Sequence, residues 1–189
     1  MNNSTWLQPL QQQTETMLTQ AIAQWQVLPH SVFAQAPQAN SWSANECLQH
    51  LNSYGDYYLP AIEKALQQRS TPYTHPFKPG WLGGWFTRMM QTNPTGLPAK
   101  KMKAPKQHVP IALQPSHEVI ARFIDQQEHL LQLLQQAEKA NLSHIKVPIS
   151  IAPMMKLQLG DVLAFLVAHN HRHVQQAQRA LQAAAVLQA

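Results

Sequence analysis

The chain has 189 residues, 44% of them hydrophobic and 12% charged, with a formal charge of +5. That length fits one domain able to bury a core of its own, and this apolar content excludes a disordered chain. The single cysteine, Cys47, excludes an internal disulfide framework and any multi-cysteine zinc or iron–sulfur site.

Thr5 to Val27 reads as a first helix. Leu7, Leu10, Met17, Leu18, Ala21, Ile22 and Trp25 recur at helical spacing, and Pro29 closes it. A second helix opens at Ser43, where Ser43–Ala44–Asn45–Glu46 has the pattern of a capping box. Its stripe is Cys47, Leu48, His50, Leu51, Tyr54, Tyr58, Ile62 and Leu66, and Pro60 predicts a kink or break about one turn earlier. Eight of 14 prolines and four of six glycines then fall between Pro72 and Pro115, so this stretch reads as a long irregular connection. Within it, Gly80 to Met90 has the makings of a short extra helix. Its Trp81, Trp85, Phe86, Met89 and Met90 would cap the bundle end, form a lid or join a dimer contact. Four lysines, Lys100, Lys101, Lys103 and Lys106, are read as a solvated basic loop. With no interleaved aromatics they make nucleic acid an unlikely partner.

The third helix starts at Ser116–His117–Glu118 and runs to about Ala140, burying Val119, Ile120, Phe123, Ile124, Leu130, Leu131 and Leu134. The fourth starts after Leu157 and carries Leu159, Val162, Leu163, Leu166, Val167, Val174, Ala177 and Leu181. No strand pattern competes. The expected fold is all-α: an antiparallel up-down four-helix bundle, residues 1–189 forming one domain. Its Pro/Gly-rich insertion, about residues 70–115, between the second and third helices is expected to be the only long connection. No stretch approaches the roughly 18 apolar residues of a membrane span, and the N-terminus lacks a signal-peptide pattern. A soluble protein of the reducing cytoplasm is expected.

Ten histidines are the chemical feature of the chain. His169 and His173 lie four apart on the fourth helix, on one face, so both imidazoles could reach one metal ion. Roughly half of one such pair is expected by chance at this histidine content, so the spacing alone is weak. Position sharpens it, because two buried imidazoles need partners and a metal would satisfy both. His171 should face away and be exposed. His50, in the inward stripe of the second helix, is the third candidate. His30, His75, His108, His117, His129 and His144 are expected to bind nothing.

The run Trp42–Ser43–Ala44–Asn45–Glu46–Cys47–Leu48–Gln49–His50–Leu51 resembles the start of the second helix in the DinB/YfiT-like family. His169–Asn–His–Arg–His173–Val–Gln–Gln is similar to that family's last helix. The resemblance implies a four-helix bundle, often a homodimer, with a divalent metal, zinc or nickel, on His50, His169 and His173. It also implies either a thiol-dependent transferase using a low-molecular-weight thiol as cosubstrate or a metal-dependent hydrolase, acting on a small-molecule substrate. Three histidines leave an open position, the catalytic pattern. Glu46 is the candidate outer partner or base near His50, weighed against its capping role. Asn52, Asp56 and Asn170 are weaker candidates of the same kind, and Cys47 is weighed as a fourth ligand against a place in the core. The alternative is a non-catalytic metal-binding stress or interaction protein whose ion mainly holds the bundle together.

Overall fold

A computed structural model describes residues 3–68, 76–93, 97, 102–111 and 114–186. Much of the expected insertion, with His75, Lys100 and Lys101, lies outside the described residues. The elements are α1 (Asn3–Gln20), continued by a π-helical turn (Ala21–Trp25), α2 (His30–Phe33), α3 (Ala44–Gln68), α4 (Trp81–Met90), a 3₁₀ turn (Lys106–His108), α5 (Ser116–Ala137), β1 (Lys146–Ile149), β2 (Ala152–Gln158) and α6 (Leu159–Val186).

The four long helices α1, α3, α5 and α6 form a bundle around Trp25, Phe33, Phe123, Leu48, Ile62 and Leu134, all essentially inaccessible to solvent. The capping box at the start of α3 is formed. The Ser43 N–H and hydroxyl both donate to Glu46 Oε2, at 2.8 and 2.9 Å, and the Glu46 N–H donates to Ser43 Oγ at 3.2 Å. Pro60 does not break α3. Pro60 and Asp56, whose carbonyl loses its helical partner, are both exposed, so water can take the place of the missing N–H. The π-helical turn resets the phase of the first helix, and Ile22 is 45% exposed instead of buried.

The bundle is not up-down-up-down. Asn45 Nδ2 donates to Ser116 Oγ at 2.8 Å, Asn52 Nδ2 to the Val119 carbonyl at 2.9 Å, and Arg122 pairs with Asp56 at 2.6 Å. The numbers rise together, so α3 and α5 are parallel neighbours. Across the other side of α3, Trp42 meets His173, His50 meets His169 and Tyr54 meets Phe165, so α6 is antiparallel to α3. Asn3 reaches the Ala140 carbonyl at 2.7 Å and Trp25 packs on Phe123, so α1 is antiparallel to α5. The directions are therefore up, down, down, up. Parallel neighbours require a crossover along the length of α3, on the order of 37 Å at 1.5 Å per residue.

That crossover is not the only long connection. Residues 138–158 between α5 and α6 carry an antiparallel β-hairpin, with Lys146 opposite Gln158 and Val147 opposite Leu157, and an irregularity between Pro148 and Ile149. Its buried residues Val147, Ile149 and Leu157 close over the bundle, while Met154 is 99% exposed. The sequence does not announce this hairpin because β1 has four residues and one of them is Pro148.

Within the crossover, α4 forms at Trp81–Met90 and lies along α6, parallel to it. The Asp161 carboxylate accepts from the Gly80 N–H at 3.1 and 3.2 Å, beside the N-terminus of α4. Arg172 Nη1 donates to the Met89 carbonyl at 2.9 Å, beside its C-terminus. A carboxylate at the start and a guanidinium at the end both complement the helix dipole. Gly83 is required for this approach, because a Cβ there would overlap the Asp161 side chain.

Candidate metal centre

His50 is set by α3 and His169 and His173 by α6, and antiparallel packing brings the three rings together. The ring centroids of His50 lie 5.1 Å from His169 and 4.5 Å from His173, and those of His169 and His173 are 4.7 Å apart. One nitrogen from each ring lies within 4.8 Å of the other two. His50 and His169 are 2% and 3% exposed, and His173 is half-buried.

A carbonyl brought in by the crossover decides the orientation of His50. Its Nδ1 lies 2.7 Å from the backbone oxygen of His108. A carbonyl only accepts, so the His50 proton sits on Nδ1 and its Nε2 presents a lone pair. That Nε2 lies 3.2 Å from Nε2 of His169. Two ligands each about 2.0–2.1 Å from a tetrahedral zinc-sized ion would be about 3.3 Å apart, so the donor set fits a cation. Nδ1 of His169 and Nδ1 of His173 are buried without a hydrogen-bond partner, and in His169 that atom lies on the far side of the ring from the Nε2 that meets His50.

All three imidazoles favour the neutral, ligating form. Burial pushes His50 down to about 4, against the opposing effect of its bond to the His108 carbonyl. Burial, then the neighbouring His173 and His50 rings, hold His169 well below the ordinary 6.5. His173 is held down by burial, then by His50 and Arg172. Aromatic rings enclose the cluster. Trp42 packs on His50 at 5.0 Å, Tyr54 on His169 at 4.1 Å, and Phe165 stacks on His169 at 5.7 Å.

The other candidates separate from this point. The Glu46 carboxylate is engaged with Ser43, and the N–H of His50 that it was expected to meet goes to the His108 carbonyl. Asn52 is committed to the Val119 carbonyl, Asn170 to Gln127 Oε1 at 3.2 Å, and Asp56 to Arg122. Cys47 is core, and burial pushes its thiol pKa up, so it is a poor nucleophile and a poor ligand. His171 lies outside the cluster, as helical geometry requires, but it is half-buried and 3.2 Å from Gln175 Nε2. His30 accepts the Ser116 N–H at 3.3 Å on Nδ1, a structural cap on α5.

His108 is the residue that the sequence did not reveal. It is 4% exposed, packs against Tyr54 at 4.0 Å with the ring planes tilted, and its Nδ1 lies 2.8 Å from Ser53 Oγ. It sits on a 3₁₀ turn between prolines, where no periodicity marks a buried position.

The profile of the DinB superfamily matches residues 12–177. A solved structure of YfiT from Bacillus subtilis, described as a probable metal-dependent hydrolase with an unusual four-helix bundle topology, shares the fold. Its TM-score is 0.51 at 16% identity, covering 95% of this chain and 86% of that one. No curated protein matches the chain. No described helix is long and apolar enough to cross a membrane.

Proposed function

The chain belongs to the DinB superfamily, and from that premise we propose that it is a metal-dependent hydrolase whose divalent ion is held by His50, His169 and His173. The observation that carries this reading is the convergence of three imidazoles, two buried and one half-buried, all favouring the neutral form, with the His50 lone pair fixed toward His169. Held by these three imidazoles, a divalent ion would supply Lewis acidity and lower the pKa of a water at the site toward about 7. The chain's own residues supply the rest. The His108 carbonyl keeps the His50 proton on Nδ1. Trp42, Tyr54 and Phe165 surround the rings with low-dielectric walls, which strengthen every electrostatic interaction inside.

Zinc and nickel both suit imidazole ligands, and YfiT is called a probable metal-dependent hydrolase. A low-molecular-weight thiol held in the same place would also lose its proton, so thiol transfer to a small-molecule electrophile is the other reaction to test. The proposal extends to a homodimer in the cytoplasm, which sedimentation and fractionation would check.

The test is turnover by chelated and zinc- or nickel-reconstituted protein against a panel of esters and amides, and separately against electrophiles with added thiols. The proposal expects metal-dependent hydrolysis that is lost in His169→Ala. Turnover only with thiols would move the assignment to transferase. A chelated protein that melts, with no turnover in either panel once reconstituted, would favour a structural ion instead.

A further inference from the structure

One helical turn from the imidazoles lies a cavity of ≈ 180 Å³. Tyr54 follows His50 by one turn on α3, and Phe165 precedes His169 by one turn on α6. Both rings contact His169 on one side and line the cavity on the other. Beyond them the walls come from four separate pieces of chain: Phe86 and Met89 of α4, Met102 and Pro105 of the crossover, Ile149 of the hairpin, and Val162 of α6. The lining is almost wholly hydrocarbon. Among the described residues, Lys103 is the one charged side chain on it, and it is exposed.

Two physical constraints identify what fits. An enclosed apolar cavity of about 150 Å³ accepts a benzene ring, so this half-open pocket has room for one. One helical turn is about 6 Å along the bundle, so a substrate reaching from the cavity past Tyr54 and Phe165 to the imidazoles must span several bonds. We propose that this cavity receives the apolar end of the substrate, an aryl group or short branched alkyl group, with the reacting group several bonds away at the imidazoles. This rests on the metal-dependent reading of the site. The substrate class is then amphiphilic: a hydrocarbon body of about six to eight carbons carrying a metal-seeking carbonyl. Specificity resides in α4, residues 102–105 of the crossover and the hairpin, because those segments contribute the walls that the four long helices leave open.

Two hydroxamates separate the cavity from the metal. Acetohydroxamate offers only a metal-binding head, whereas 4-phenylbutyrohydroxamate adds a ring at the required distance. Both are titrated into zinc-loaded full-length protein, and benzene into the metal-free protein with ¹³C-labelled methionine methyls. The expected results are at least tenfold tighter binding of the phenyl compound and saturable benzene shifts at Met89 and Met90. Both effects should vanish in Val162→Phe, which fills the cavity, while acetohydroxamate affinity stays unchanged. Ile149→Phe fills the same space from the hairpin and serves if Val162→Phe does not fold. Equal affinity for the two hydroxamates, or benzene shifts that persist in a filled variant, would overturn the inference while leaving the metal reading intact. Failure of both hydroxamates, with benzene still bound and displaced by the filling variants, would remove the metal reading and leave the apolar subsite standing.

Discussion

Helix α6 carries two neighbourhoods one turn apart with opposite chemistry. Around His169 and His173 the interior is polar and built from two long helices facing each other. Around Val162 and Phe165 it is hydrocarbon and completed by α4 and the β-hairpin. The first is fixed by rigid elements, where a ring's position follows from helical spacing. The second depends on short segments held by their own packing and by contacts that include Asp161 to Gly80, Arg172 to Met89, and Tyr58 Oη accepting the Ser150 N–H at 3.1 Å. On the proposed reading, chemistry is placed on the long helices and selectivity on the short segments, with His108 joining the two.

The largest effect should come from acid acting on the imidazole side. His50, neutral and pushed from 6.5 to about 4, binds fewer protons when folded than when unfolded. Stability from this group is therefore full above pH 6.5 and is lost as pH falls through about 4, a change of about 3 kcal/mol. His169 and His173 shift in the same direction. Urea midpoints of metal-free protein at pH 7.5, 5.5 and 4.5 should fall steadily. A flat profile would mean that the three rings are not buried neutral.

Next is a substitution confined to the cavity side. Gly83→Ala places a methyl group on the Asp161 carboxylate and should displace α4, costing about 2 kcal/mol in thermal unfolding. The same variant should retain its bound metal. If it lost metal as readily as a histidine variant, the two neighbourhoods would not be separable.

His108 belongs to both regions, because the crossover delivers its carbonyl to His50 and its ring to Tyr54. His108→Ala removes the ring that meets Ser53 and Tyr54 but keeps the carbonyl that orients His50. It should therefore keep the fold and weaken metal affinity by less than the roughly tenfold that loss of the orienting partner itself would cost. Competition with a chromogenic chelator would read this, and unchanged affinity would confine His108 to packing. The smallest effect should be that of Ser43→Ala, about 1 kcal/mol for a lost cap, with metal affinity unmoved. If metal affinity fell instead, Glu46 would have a role at His50 beyond the cap.

These regions also differ in how readable they were. The capping box, the amphipathic stripes and the i, i+4 histidine pair are periodic features, and period survives into structure. The helix directions were not readable. Apolar stripes say which face is buried but not which neighbour covers it, so the parallel contact between α3 and α5 came as a correction to the up-down order. The 3₁₀ turn bearing His108 and the hairpin bearing Ile149 have no period at all. Their burial is imposed by tertiary contacts made far along the chain. Ile22 shows the same limit on a smaller scale, since a π-helical turn shifts the register that its spacing implied.

The central claim is that three imidazoles from two helices hold one ion. Elemental analysis of protein reconstituted with zinc and freed of excess metal tests it directly, in wild type, His50→Ala, His169→Ala, His173→Ala and His171→Ala. The account predicts one ion per chain in wild type and His171→Ala, and loss of that ion in each of the other three with the helical content retained. Wild-type metal content in any one of those three, or loss in His171→Ala alone, would contradict it.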